Sequence, residues 1–550
     1  MPATYTTTTN ATAPTSADAA NGIASLAPYT GAFGRGEAWH LLRRACFGVR
    51  GAWVDEAVGL GLEATLDRLL TPEPPMAPPV NHDFPDDPNV PIGATWVEAP
   101  YSREIDLHPY RYASNVVWVN RHYVESGMSL ERRMMLFFVN HFGANADTDA
   151  RIAYAWFGLM REAWRMPFPD LVKAVTVHPS MLFFLDGRNN RATSPNENYA
   201  RELLELFTVG KGPLVGEGDY THYTEADIRE LARALTGWRV RHAWSDAAGY
   251  TPEAYFQASW HDHTPKQLSA RLGAVRLEDA GDAEYAAVVD AIFAHGNVGQ
   301  YVCRKLYRWF CHYDVTEAVE RDIVTPMAEA FRAAGYDFAA PVRLLLRSAH
   351  FFEARFRGAL PKSPIDELCD LTVGLGLGIP DNLGDQRWLY GVFNYYCGAQ
   401  GMNLLVPTSV AGYKPYHQAP LYNRYWINAA TLQSRVGHAG WTLWASYVRE
   451  ADGARFPLDH LAYIAAFDNP SDPDEVVREF AERLLPTPLS APQLAALKGA
   501  LIPGLPDFEW TIEYGKHLDD PDDENVRMAV SARLRNVLWA ITNSAEYRLY

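Results

Sequence analysis

Two short stretches of the chain bring together the residue types that acid–base chemistry uses. The stretch WHDHTPK (260–266) places His261 and Asp262 side by side, and the stretch SPNENYARELLELFTVG (194–210) carries Glu197 and Glu202. A carboxyl group with a raised pKa can donate a proton to a leaving group while a second carboxylate or an imidazole accepts one. The sequence therefore predicts four candidate catalytic residues: Glu197, Glu202, His261 and Asp262.

Other polar and aromatic side chains near these stretches could hold a substrate. Arg201 and Lys266 suit anionic or hydroxyl groups, and Trp238 could stack on a sugar ring. We expect a glycan or another polymer as the substrate. The predicted substrate-binding residues are Asn196, Arg201, Arg233, Trp238 and Lys266.

A metal site is the alternative for the 260–266 stretch. Its His-x-His pattern can present two imidazoles to a metal, and nearby carboxylates could complete the coordination. No H-E-x-x-H or comparable spacing fixes such a geometry in this sequence. No metal ligand is therefore assigned, and the cofactor stays open.

These residues must be positioned by helices. Ser194 and Glu197 have the spacing of a capping box, with Pro195 at the first helical position. At 100° per residue, Tyr199, Ala200, Leu203, Leu204, Leu206 and Phe207 share one arc, opposite Glu197, Asn198, Arg201, Glu202, Glu205 and Thr208. The polar arc is either a salt-bridged surface, with pairs Glu197–Arg201 and Arg201–Glu205, or the wall of a polar cavity. Helix periodicity and side-chain type are compatible with both arrangements.

Two neighbouring helices carry further signals. In HYTEADIRELARALTGW (222–238), Thr224 is the predicted N-cap and Gly237 the predicted exit residue. The stretch VNHFG (139–143) ends a very apolar helix. We interpret His141, in its last turn, as a cation that interacts with the helix dipole.

The remaining pattern predicts a mainly α fold: a large multi-helical globular protein with one short β-hairpin and long Pro/aromatic-rich loops. The hairpin is predicted from GWRVRHAW (237–244) and EAYFQASW (253–260), where polar and apolar residues alternate. Residues 71–100 contain nine prolines, and residues 401–424 are rich in aromatics and proline. Both stretches are predicted to be loops.

We predict three parts: a disordered Thr/Ala-rich leader at 1–34, a helical core at 35–360 that carries the polar motifs, and a helical C-terminal part at 361–550 packed on that core. The net charge of −17 argues against nucleic acid as a partner. No window is apolar enough to span a membrane, and the N-terminus lacks the pattern of a signal peptide. From sequence alone the expected location is the cytoplasm.

The ordered series of motifs resembles the bacterial family catalogued as domain of unknown function 1800. The motifs are HLLRRACFG (40–48), NHF (140–142), NENYARELLEL (196–206), YTEAD (223–227) with LTGW (235–238), HDHTPK (261–266), RKLYRWF (304–310), VAG (410–412) and WIN (426–428). The resemblance implies export and a sulfatase-like partner protein, but no established reaction. It also favours the cavity for the polar arc of 196–208, and we therefore predict one polar cluster shared with Arg233 or Trp238 and with His261 or Asp262. The chain departs from the family pattern at Thr408, Tyr413 and Lys414, and it shows no export signal.

Two functions follow from these patterns. The first is a hydrolase or lyase that acts on a glycan or other polymer through the acidic and histidine side chains. The second is a non-catalytic binding or assembly protein, in which the same side chains form a buried structural network. Burial separates them, because a catalytic cluster must open on a cleft whereas a structural network is sealed and fully paired.

Overall fold

A computed structural model of the chain describes residues 25–145, 148–217, 219–294, 297–445 and 447–550. These residues confirm the mainly α fold class. The helices of the N-terminal half are α1 Arg35–Ala45, α2 Gly51–Leu60, α3 Leu62–Leu69, α4 His108–Val124, α5 Glu131–Phe142, α6 Ala150–Glu162, α7 Phe168–Thr176, α8 Pro179–Phe184, α9 Glu197–Glu202, α10 Glu225–Ala234, α11 Glu284–Phe293 and α12 Asn297–Phe310.

The second half of the chain is also helical. Its helices are α13 Glu317–Val319, α14 Thr325–Ala333, α15 Ala339–Leu346, α16 Pro364–Leu371, α17 Leu383–Ala399, α18 Lys414–His417, α19 Ala429–Gly440, α20 His460–Ile464, α21 Pro473–Leu484, α22 Ala491–Leu501, α23 Asp507–Asp519 and α24 Glu524–Thr542. Three segments of the described chain are π-helical: Leu203–Thr208, Glu320–Val324 and Trp441–Ala445.

Strands are short and pair only in twos within the described residues. They are β1 Leu214–Gly216, β2 Asp219–Tyr220, β3 Trp238–Arg241, β4 Glu253–Phe256, β5 Lys266–Gln267 and β6 Arg276–Leu277. The predicted hairpin is the β3–β4 pair, in which Trp238 lies opposite Phe256 and Arg241 opposite Glu253.

Most buried apolar side chains form one continuous core that runs from Ala38 to Tyr547 and so includes residues on both sides of position 360. A smaller cluster around Trp96 lies under the proline-rich loop and against α4. Trp96 Nε1 donates to Ser114 Oγ at 2.9 Å, so this loop is fastened to the helix beneath it.

Residues 1–24 of the predicted leader lie outside the described residues. The following segment contacts the folded chain, since Tyr29 N donates to Arg347 O and Ala349 N donates to Ala27 O, each at 2.8 Å. None of the described helices is both long and apolar enough to cross a bilayer.

The 194–210 stretch differs from its prediction at both ends. Asn196, not Ser194, caps α9, because its side-chain oxygen accepts from Asn198 N at 2.9 Å while Ser194 N closes a tight turn onto Arg191 O. After Glu202 the helix widens into the π-helical turn. This change of winding turns Thr208 inward, where its hydroxyl donates to Leu203 O.

Candidate functional site

The polar arc of α9 faces the start of α10. Arg201 forms a bidentate ion pair with Glu225, at 2.9 and 2.8 Å, and a longer contact of 3.4 Å with Glu197. The predicted Arg201–Glu205 pair is wrong, because Glu205 instead accepts from Tyr223 at 3.3 Å and lies 3.5 Å from Lys211. The Arg201–Glu225 pair is about one-third exposed.

Glu202 is the candidate acid with the most suitable surroundings. No hydrogen bond or ion pair reaches its carboxylate from a described residue, and the side chain is half-buried. Burial raises the pKa of Glu202, the nearby Glu205 adds to this shift, and Arg201 opposes it.

A second polar group lies at the other end of α10. Arg233 Nε donates to Asp262 at 2.8 Å, and Arg233 also bonds Glu230 and Thr264. Burial alone would raise the pKa of Asp262, but the hydrogen bonds from Arg233 and Thr264 outweigh it and hold that pKa well below its ordinary value. Asp262 is therefore an ionised partner of Arg233 and cannot supply a proton near neutral pH.

Next to this pair is a sealed polar group that we name the Glu284 cluster: Thr236, His261, Lys266 and Glu284. His261 Nε2 lies 2.9 Å from one Glu284 oxygen, and Lys266 Nζ lies 2.6 Å from the other. The side chains of all three are fully buried. Gly237 allows the close packing, since its φ is +97° and a Cβ there would lie 2.7 Å from the Phe256 ring.

The predicted site residues thus separate into two groups at opposite ends of α10. Within the described residues, no hydrogen bond or ion pair joins α9 directly to the 261–266 loop. Asn196 and Trp238 line one small cavity of about 10 Å³ between the groups, and Trp238 packs edge-on against Phe256 and Tyr285. The prediction of a single polar cluster is therefore wrong, because α10 separates the polar side chains of α9 from the 261–266 loop.

Three of the motifs meet at another place, which we name the Lys305 cavity. It holds about 20 Å³, room for roughly one water molecule. Its walls come from α5, α12 and the loop before α19, and its lining includes Asn140, His141, Lys305, Arg308, Trp309, Ala411, His417 and Asn423.

Carbonyl groups of the π-helical turn hold two side chains of this lining, Lys305 and His141. Lys305 Nζ and Tyr301 Oη both donate to Leu206 O, at 2.9 and 3.0 Å, and His141 Nε2 lies 3.0 Å from Phe207 O. Burial, with a smaller contribution from Arg308, lowers the pKa of Lys305 to about 7. Lys305 therefore loses its proton far more readily than an exposed lysine.

His141 is not the helix-end cation that the sequence predicted. The ring is fully enclosed, and burial together with the Lys305 ammonium lowers the pKa of His141 well below its ordinary value. The neutral ring uses both nitrogens, since Lys305 Nζ lies 3.2 Å from its Nδ1.

A much larger opening lies elsewhere, between α4, α17 and α19, and we name it the aromatic groove. Its volume is about 1250 Å³, above the roughly 300–1,000 Å³ of a usual small-molecule site. Five aromatic side chains line it: Tyr112, Trp388, Tyr395, Tyr396 and Trp441. Tyr395 is 71% exposed, so its ring is available to a ligand.

The charged side chains of the groove already have partners. Arg387 lies 2.6 Å from Asp83, and Arg449 lies 2.8 Å from Asp385 and 2.5 Å from Asp452. The Asn394 side-chain oxygen is buried at the wall and accepts no hydrogen bond from a described residue. The groove thus offers ring faces and amide or hydroxyl groups without a large net charge.

Glycines keep the groove open. Gly391 lies in the middle of α17 and Gly437 in α19, and a Cβ at either position would meet nothing within 4 Å. Glycine inside a helix costs about 0.5–1 kcal/mol relative to alanine. No tight packing in the chain itself accounts for these two glycines.

The family described as "Protein of unknown function (DUF1800)" has a sequence model that matches residues 40–510. The chain belongs to the DUF1800 family. The match spans both polar groups, the Lys305 cavity and the aromatic groove. No curated protein and no solved structure matches the chain.

Sequence reasoning missed Glu284, Lys305 and the groove. Glu284 is a single acidic residue at the start of α11, which looks like ordinary helix-dipole compensation. Lys305 stands within the quoted RKLYRWF motif, so its position was visible but its burial was not. Gly384, Gly391 and Gly398 recur every seven residues in one helix, and this spacing is the signal that could have indicated an open face.

Proposed function

We propose that this DUF1800 protein binds a neutral glycan chain in the aromatic groove, and that the Glu284 cluster serves the fold. One observation carries the proposal: a 1250 Å³ groove lined by five aromatic side chains and kept open by glycines. The flat C–H faces of pyranose rings stack on aromatic rings, and their hydroxyls pair with amide and phenol groups. The volume favours an extended ligand over a single sugar.

Charge supports a neutral ligand. Both arginines that line the groove are neutralised by carboxylates, and the whole chain carries −17. The approach of an acidic polymer to such a surface would raise the free energy, because like charges repel and no unpaired cation in the groove lining compensates.

Hydrolysis or elimination at the polar clusters has less support. Asp262 and Glu197 are held by arginines, and Lys266 is buried against Glu284. Glu202 alone keeps the raised pKa and free carboxylate that a general acid needs. Release of reducing ends from a bound glycan, lost in Glu202→Gln, would favour the enzymatic function.

Affinity electrophoresis of the full chain tests the proposal, with gels that contain xylan, hydroxyethylcellulose or dextran and with alginate as the acidic comparison. We expect at least one of these neutral polymers to retard the protein. Gly391→Phe adds a ring at an exposed groove position where a Cβ meets no other atom within 4 Å, so it should weaken binding at least tenfold and leave the melting temperature unchanged or higher.

Gly499→Phe is the matched control, because Gly499 is an exposed glycine in α22 with nothing within 4 Å of its Cβ. It should bind like the unaltered chain. Equal binding by Gly391→Phe, retardation by alginate alone, or no retardation by any neutral polymer would contradict the proposal.

We also propose, from the family resemblance alone, that the chain associates with a sulfatase-like partner protein. Co-expression of the two chains, followed by size-exclusion chromatography, tests it. A stable complex should elute ahead of either protein, and separate elution at micromolar concentration would count against a lasting partnership.

A further inference from the structure

Backbone carbonyls determine which ring nitrogens of His261 and His263 carry hydrogen. His261 Nδ1 lies 2.9 Å from Thr236 O, and His263 Nε2 lies 3.0 Å from Ala258 O. A carbonyl oxygen only accepts hydrogen bonds, so these two nitrogens are the donors. In the neutral rings the opposite nitrogens, His261 Nε2 and His263 Nδ1, therefore carry lone pairs.

Both lone pairs face carboxylates. His261 Nε2 lies 2.9 Å from Glu284 Oε2 and 3.7 Å from Asp279 Oδ1, and His263 Nδ1 lies 2.9 Å from Asp279 Oδ2. A lone pair against a carboxylate oxygen is repulsive unless a positive charge lies between them. The ligating atoms of His261, His263 and Asp279 lie within 4.8 Å of one another, so small side-chain rotations bring them to the roughly 3.5 Å that separates ligands in a tetrahedral site with metal bonds of about 2.0–2.2 Å.

Each of these side chains is also oriented by an outer partner. Lys266 holds the second oxygen of Glu284 at 2.6 Å, and Gly281 N donates to Asp279 at 3.1 Å. The carbonyls of Thr236 and Ala258 hold the two rings. Metal ligands in proteins are oriented by such second contacts, which fix the histidine tautomer and the carboxylate direction.

We propose that His261, His263 and Asp279 bind one divalent first-row transition-metal ion, with the Glu284 carboxylate adding negative charge beside His261. Two imidazoles and one carboxylate suit Zn²⁺, Mn²⁺ or Fe²⁺ and are unlike the all-oxygen shells of Ca²⁺ and Mg²⁺. The inner half of the site is the buried His261 ring with Glu284 next to it. The outer half, His263 and Asp279, is 55% and 39% exposed, which provides an entry path and room for a water ligand. This site is independent of the glycan proposal.

Calorimetry with Zn²⁺ tests the site in the tag-free full chain after removal of metals by chelation. At pH 8, where free imidazoles are neutral, we expect one equivalent of Zn²⁺ to bind and to raise the melting temperature in a concentration-dependent way. His263→Ala and Asp279→Asn change exposed side chains, so they should fold normally. Each should weaken Zn²⁺ binding roughly 100-fold or more, because loss of an outer partner alone costs about 10- to 100-fold.

His242→Ala is the matched control, since His242 lies 3.8 Å from Glu253 on the neighbouring hairpin without a second carboxylate. It should bind Zn²⁺ like the unaltered chain. The alternative to a metal ion is a proton on each imidazole, which would make both rings cationic partners of the carboxylates. Imidazolium signals from both rings at pH 8 without Zn²⁺ uptake, or equal affinity in His263→Ala and the unaltered chain, would overturn the proposal.

Discussion

The Glu284 cluster and the aromatic groove use side chains in opposite ways. In the cluster, charged groups fill the available space and hold one another, and burial makes each of them depend on its neighbours. In the groove, glycines occupy positions where α17 and α19 face each other, and the neighbouring aromatic rings have exposed faces. The first arrangement fixes the positions of α10 and α11, whereas the second leaves a surface for something outside the chain. Substitutions in the two regions should therefore affect different measurements.

The largest expected effect is in the cluster. Glu284→Gln removes the counter-charge of the buried Lys266, and an uncompensated buried charge costs about 3–5 kcal/mol. Chemical denaturation in the presence of chelator should show that loss in the free energy of unfolding. Glu278→Gln, which breaks an exposed pair with Arg276, is the control and should change it by less than about 1 kcal/mol.

A double substitution sharpens this prediction. Glu284→Met combined with Lys266→Met removes both charges, so it should destabilise the chain less than Glu284→Gln alone. A loss below about 1 kcal/mol in Glu284→Gln would mean that the cluster does not hold α10 and α11 together.

An intermediate, pH-dependent effect is expected at Lys305. Its pKa of about 7 in the folded chain lies below the ordinary lysine value, so between these two values the unfolded chain binds more protons. The free energy of unfolding should therefore rise with pH above 7, by at most about 1.4 kcal/mol per unit. Lys305→Met should remove this contribution, and its stability relative to the unaltered chain should fall as pH rises from 7.5 to 9.5. A pH-independent difference would show that Lys305 stays protonated.

The smallest effect is expected for the partly exposed Arg201–Glu225 pair. Solvent screens it, so Arg201→Met should cost no more than about 1 kcal/mol in the free energy of unfolding. Glycan retardation should not change, because the pair lies outside the groove. A loss above about 3 kcal/mol would place α9 among the buried networks and remove the contrast between the two regions.

Periodicity and helix signals predicted much of this fold from the sequence. The mainly α class and the hairpin at 238–256 followed from local patterns, and Thr224 is the N-cap with a capping box to Asp227, as its spacing indicated. These features depend on residues that are close in the chain. Asn196 replaced Ser194 as a cap because the preceding tight turn, which the pattern did not reveal, changes where the helix begins.

The sites were harder to predict, because long-range contacts define them. His261 was identified by its motif, but its partner Glu284 lies 23 residues later with nothing unusual around it. The π-helical turn reverses the side on which Thr208 lies, and a fixed rotation of 100° per residue cannot anticipate that change. The only sequence signal of the groove is the regular spacing of glycines in α17. Sequence motifs are searched for reactive or charged side chains, and glycine has neither.

The aromatic groove also has a consequence for synthesis of the chain. Asp83 and Tyr112 form one wall, whereas the opposite wall is built by residues from Gly384 to Arg449. A ribosome must therefore add some three hundred residues after the first wall before the second exists, while domains generally begin to fold from the N-terminal side. One ion pair behind the groove forms later still, since Arg548 pairs with Glu367 in α16, the helix that packs against α17. A nascent or truncated chain that ends before Arg449 has no groove, so retention by the polymer would distinguish finished molecules from incomplete ones.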